Sequence, residues 1–214
     1  MFKVREDMFI GFYRGWVWLT YIGAISAIFG IYNAIYGEVW IALICLLISG
    51  VCDSFDGKIA AKFKRTKEEK QYGTQIDSLC DVVSFLILPV MICYGMGLNS
   101  RIHIVIYIGF ILCGLIRLAY FNVVSEKNGE KSKGTFYYRG LPVTSVAIVF
   151  PLVYLLRFFT TIDRFETIYI SVMTFVAFLF ILNFKLKNPS IAWKYVFLGF
   201  VVIMISVFVY LGVR

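Results

Sequence analysis

The sequence predicts an all-α integral membrane protein, and three observations carry that prediction. Of its 214 residues, 60% are hydrophobic and the mean hydropathy is +0.82, whereas an ordinary soluble domain is about 45–50% apolar. The apolar residues come in repeated runs of about 20, long enough for a helix to cross a hydrocarbon core of about 30 Å. Basic residues collect in alternate loops, as they do in a polytopic chain of fixed orientation.

Taken in order, residues 1–14 alternate charge with Phe, Ile and Tyr, which predicts an interfacial amphipathic segment. No small-residue cleavage site follows it, so a signal peptide is not expected. Seven apolar runs come next: Gly15–Tyr36, Val39–Ala61, Thr74–Gly97, Ile102–Val124, Leu141–Phe159, Thr167–Phe184 and Ile191–Val213. There is no long linker, low-complexity tract or internal repeat, so residues 1–214 read as a single membrane-embedded catalytic domain. With the N-terminus in the cytoplasm, 15 of the 21 basic residues face the cytoplasm. Only Arg101, Arg157, Arg164 and Arg214 lie on the other side. That topology, with attraction to anionic headgroups, accounts for the net charge of +8. The basic residues are scattered over membrane-flanking loops, which excludes a nucleic-acid partner. The five cysteines all sit in apolar runs without a CxxC pair, and His103 is the lone histidine, at the outer end of the fourth run. Neither pattern supports disulfide or zinc chemistry.

The acidic residues depart from this scheme. Nine of the 13 fall in termini or loops. The other four, Asp53, Asp56, Asp77 and Asp81, lie at the ends of the second and third runs. A charge within a span is costly, and four together need a counter-charge. Asp53 and Asp56 stand at i and i+3 and share a face, which Gly57 and Ala60 continue. Gly73, Asp77 and Asp81 are spaced by four and four on one face of the third helix. A short basic turn, Lys62 to Tyr72, folds the two helices antiparallel. The result is an oxygen-rich pocket suited to hard divalent cations, Mg²⁺ or Mn²⁺, rather than to zinc or copper. Two such ions can neutralise a pyrophosphate during in-line displacement at phosphorus. Gly57, Ala60 and Gly73 leave room for a bulky headgroup beside the backbone.

These residues resemble the signature of the CDP-alcohol phosphatidyltransferase family: Asp53, Asp56-Gly57 and Ala60, then Gly73, Asp77 and Asp81. Two departures stand out. The arginine expected after Ala60 is Ala61, and the spacer before Gly73 is about three residues longer than usual. Lys58, Lys62 and Lys64 are candidates for the missing cation. Within the family, "DSLCDVVSF" (Asp77–Phe85), "RLAYFN" (Arg117–Asn122) and "RGLPVT" (Arg139–Thr144) are similar to the phosphatidylserine-forming branch. The resemblance implies a core of six membrane helices, so either the seventh run is an additional C-terminal helix or one of the runs is not a full span. It also implies attack of a hydroxyl on the β-phosphorus of CDP-diacylglycerol, with CMP leaving. By the same resemblance, Asp53, Asp56, Asp77 and Asp81 hold two metal ions and Asp81 is the general base. Asp53, Asp56, Gly57, Ala60, Gly73 and Asp77 bind the CDP moiety, the acceptor is L-serine, and the protein is a homodimer.

Arg117 lies in the fourth run at the depth of the aspartates. A guanidinium there suits a lipid phosphate or the serine carboxylate, because its fork donates two parallel hydrogen bonds. Arg139, at the entry to the fifth run, is the second candidate for that role. Ser78 and Ser84 fit interhelical hydrogen bonding. The other acceptors that share the aspartates are inositol phosphate and glycerol phosphate. A prenyltransferase would show more repetitive Asp motifs without the Asp-Gly step. An ion-coupled transporter would place its carboxylates near the midplane on broken helices.

Overall fold

The computed structural model describes the backbone of residues 10–129, 137–187 and 191–212, and the side chains of 10–124, 140–184 and 195–211. Each of the seven apolar runs becomes a helical rod. They are α1 (Trp18–Ile35), α2 (Val39–Ala61), a third rod built from α3 (Lys67–Asp81), a π-helical stretch Val82–Ile87 and α4 (Leu88–Gly95), then α5 (Arg101–Gly129), α6 (Val146–Leu155), α7 (Ile162–Ile181) and α8 (Ile191–Gly212). Among the described residues, five helices are long and apolar enough to cross a membrane, the third rod counting as one; Val143–Phe158 and Tyr195–Leu211 are shorter apolar helices. The protein is an integral membrane protein.

α2 is the central rod. It buries Leu43, Leu46 and Leu47 completely and packs along α1, α6 and α8. Phe85, Leu86 and Leu88 of the third rod and Phe110, Phe150 and Phe180 of α5, α6 and α7 complete one continuous core. The outer faces carry Ile25, Ile28 and Phe29 of α1 and Ile104, Val105 and Ile108 of α5, all exposed. In a bilayer those faces meet lipid. Where the water-driven hydrophobic effect is absent, close packing holds helices together, and small residues permit it. Accordingly, Gly30 of α1 sits against Cys45 and Leu88, and Gly50 of α2 lies so near Ala147 that a Cβ would come within 2.6 Å of the alanine methyl.

Many helix ends shift by several residues from the sequence expectation, α6 for instance spanning only Val146–Leu155 and α7 starting at Ile162, and two differences in the third rod bear on the site. The third rod begins at Lys67 rather than Thr74, because Thr66 and Glu69 form a reciprocal capping box: Glu69 N–H donates to Thr66 Oγ1 (3.2 Å) and Thr66 N–H to Glu69 Oε2 (2.9 Å). That polar first turn carries no apolar signal, although Thr-x-x-Glu is itself a start signal. Thr66→Ala is expected to lower stability by about 1 kcal/mol, measured as a lower thermal midpoint in detergent. The second difference is the π-helical stretch. It ends at Ile87, two residues before Pro89, whose missing N–H and bulky ring disfavour a regular turn there.

A two-stranded antiparallel ribbon, β1 (Tyr137–Arg139) with β2 (Lys185–Lys187), ties the loop before α6 to the loop after α7. By the alternation of the rods, this ribbon, the 62–66 turn and the N-terminal segment share one end of the bundle. Residues 1–9, most of the expected amphipathic segment, lie outside the described residues. Residues 10–17 form bends and turns that pack on the third rod, with Phe12 and Tyr72 rings 5.1 Å apart and Arg14 Nη1 3.1 Å from Glu69 Oε1.

Candidate active site

The four aspartates do meet. α2 ends and α3 begins at the same end of the bundle, and α1 packs against both. Asp77 comes within hydrogen-bonding reach of Asp56, and Asp81 of Asp53. Because the two helices run in opposite directions, these contacts form two tiers. Asp53 lies about 4.5 Å deeper along α2 than Asp56, and Asp81 about 6 Å deeper along α3 than Asp77. Asp56 and Asp77 form the outer tier, Asp53 and Asp81 the inner one. Carboxylate oxygens of Asp53, Asp56 and Asp77 lie within 4.8 Å of one another, as shared ligands of a cation would. Thr20 of α1 holds Asp56 from the third side, its Oγ1 donating to Oδ2 at 3.3 Å.

Two cavities border this ladder. The inner one, about 10 Å³, has room for a single water-sized species. Its walls include all four aspartates with Thr20, Ser49 and Ser84. Two thiols, Cys52 and Cys80, also reach this wall. Neither belongs to the oxygen triad, so the ligand set remains one for a hard cation. The outer cavity, about 190 Å³, is walled by Asp56, Asp77, Gly57, Ala60, Gly73, Thr74, Thr20, Trp16 and Arg65. All three small residues of the sequence reading thus border one space. A Cβ on Gly57 would meet nothing within 4 Å, so this wall is open to a ligand.

The remaining candidates fare differently. Arg117 is buried; its Nε donates to the Leu141 carbonyl at 3.2 Å and its guanidinium lies 4.9 Å from the Phe121 ring centre. It braces the entry to α6, and it is not among the residues bordering either cavity. The side chain of Arg139 lies outside the described residues. Ser78 exchanges hydrogen bonds with Asn122 of α5 at 2.8 and 3.1 Å, an interhelical tie as expected. Lys58 lies over Phe55, and Lys62 and Lys64 are exposed; none of the three borders the outer cavity. The residues that sequence reasoning missed are Thr20, Trp16, Arg65 and Glu69. Only Glu69 had a signal, its capping-box spacing from Thr66. Among charged neighbours it looks like a loop residue, yet it is buried and paired with Arg14.

The CDP-alcohol phosphatidyltransferase family model matches residues 17–211. The chain belongs to that family. A CDP-diacylglycerol–serine O-phosphatidyltransferase of Saccharomyces cerevisiae is 36% identical over 115 residues, covering 52% of this chain and 41% of the yeast protein. An archaetidylserine synthase of Methanothermobacter thermautotrophicus is 32% identical over 158 residues, 72% of this chain and 64% of that protein. A CDP-diacylglycerol–serine O-phosphatidyltransferase of Helicobacter pylori is 26% identical over 172 residues, 78% of this chain and 68% of that one. The chain spans about half the length of the first two of these relatives. Within the CDP-alcohol phosphatidyltransferase family, the two-tier aspartate ladder falls on the residues that the signature resemblance marked.

Proposed function

We propose that this protein transfers a phosphatidyl group from CDP-diacylglycerol to the hydroxyl of L-serine, releasing CMP and forming phosphatidylserine. The observation that carries the reading is the aspartate ladder opening into a cavity walled by Gly57, Ala60 and Gly73. The choice of serine rests on the relatives' names, which share serine, and on the segments at Asp77–Phe85 and Arg139–Thr144.

In this reading the outer cavity takes the cytidine diphosphate, with its phosphates toward Asp56 and Asp77. The four carboxylates hold two divalent cations, Mg²⁺ or Mn²⁺, which when bound offset charge on the pyrophosphate and on the departing CMP. Thr20 fixes the rotamer of Asp56. Asp81, on the inner tier, takes the proton of the serine hydroxyl as it attacks phosphorus. Arg117 and Arg139 are the candidates for holding the serine carboxylate or the lipid phosphate; the bond from Arg117 to Leu141 uses Nε. The N-terminus and the active site face the cytoplasm, as the distribution of basic residues favours, and the protein is a homodimer.

The purified protein with Mn²⁺ or Mg²⁺, CDP-diacylglycerol and labelled serine is expected to release CMP and form labelled lipid, and a chelator is expected to stop both. Absence of CMP with every acceptor would remove the reaction class. Release with inositol phosphate or glycerol phosphate but not with serine would remove only the acceptor.

A further inference from the structure

The outer cavity carries two carboxylates and one cation. That cation is Arg65, in the turn between α2 and α3 immediately before the Thr66 cap. Three observations separate it from an ordinary loop arginine. Its guanidinium lies over the Trp16 ring, 5.4 Å from the ring centre. Trp16 is itself only 2% exposed and packs edge-on against Tyr72, so the platform is stiff. Finally, Arg65 Nε is buried with no hydrogen-bond partner among the described residues. A buried guanidinium N–H without an acceptor is costly unless a ligand completes it. Glu69, the carboxylate four residues further on, is engaged by Arg14 and by the Thr66 backbone.

Gly73 fits the same arrangement. A Cβ at this position would come 3.0 Å from Trp16 Cζ3 and 3.4 Å from Arg65 Nη1. The glycine therefore lets the tryptophan and the guanidinium lie close against α3, at the cavity wall.

We propose that Arg65 is the anion clamp of the outer cavity, receiving a phosphate of the nucleotide diphosphate opposite the aspartate ladder. This rests on the reading of that cavity as the CDP site. Arg65 supplies from the turn the charge that Ala61, exposed at the end of α2, does not. A planar guanidinium lying over an indole is held ready for two parallel hydrogen bonds to phosphate oxygens, whereas an ammonium offers a single point charge.

The test uses the full chain in detergent with Mn²⁺, and compares the binding of CDP and of cytidine to the wild type, Arg65→Ala and Arg65→Lys. Arg65→Ala is expected to weaken CDP binding about 10- to 100-fold while cytidine binding stays within about twofold. Arg65→Lys is expected to recover part of the CDP loss. Unchanged CDP binding in Arg65→Ala overturns the proposal, and so does an equal loss for CDP and cytidine, which marks a structural role. If the wild type itself binds no CDP in the presence of metal, the reading of the cavity fails, and the clamp with it.

Discussion

Asp81→Asn is expected to reduce CMP release by about 10²- to 10⁴-fold, the usual contribution of a positioned acid–base group, while CDP binding in the presence of Mn²⁺ changes little. The split follows from the two tiers. Asp81 borders the inner cavity only, whereas Asp77 and Asp56 border both. The oxygen triad also omits Asp81. Asn keeps the size and one oxygen ligand but loses the capacity to take a proton, so the substitution removes the base while the Asp53, Asp56 and Asp77 triad keeps its oxygens together beside the nucleotide cavity. Single-turnover release of CMP, measured beside equilibrium binding of CDP, checks both halves. Near-full turnover in Asp81→Asn would end the assignment of Asp81 as base. Equal losses of binding and turnover would make Asp81 a structural member of the ladder.

The ladder was legible in the sequence because helix periodicity alone puts Asp53 with Asp56, and Asp77 with Asp81, on shared faces, and a short turn does the rest. The apolar rods were legible for a similar reason: about 20 apolar residues leave few alternatives to a membrane helix. What lies around the ladder was not. Thr20 reaches Asp56 across 36 positions of sequence, and Trp16 meets Gly73 across 57, contacts that depend on how α1 docks and not on any local period. Arg65 sat in a cluster of five basic residues, where topology explains every charge equally well. Only the docking of Trp16 beneath it singles it out from Lys62 and Lys64. Arg117 is legible only in part. Its depth in the membrane marks it, but the hydrogen bond from its Nε to the Leu141 carbonyl is a contact that sequence spacing does not reveal.

The largest effect on stability is expected far from the chemistry, at Gly95→Ala near the end of α4. A Cβ there would overlap the Ala34 carbonyl oxygen and crowd its carbon and Cα. A side chain in the way can rotate, but a helix backbone cannot, so α1 and the third rod would have to separate. Overpacking of a tight interface typically costs about 1–3 kcal/mol, and a rigid obstacle argues for the upper part of that range. The consequence reaches the site, because the same two rods carry Thr20 at one end and Asp77 and Asp81 along the other. A lower thermal midpoint in detergent is therefore expected together with lower activity at temperatures where the wild type is intact. Gly109→Ala in α5 is the control: a Cβ there meets nothing within 4 Å, and exchanging glycine for alanine in a helix is neutral to favourable by about 1 kcal/mol. If Gly95→Ala melts with the wild type while Gly109→Ala also does, α1 and α4 do not approach as closely as described, and the close helix packing that orients the aspartate ladder must lie elsewhere, at Gly30 or Gly50.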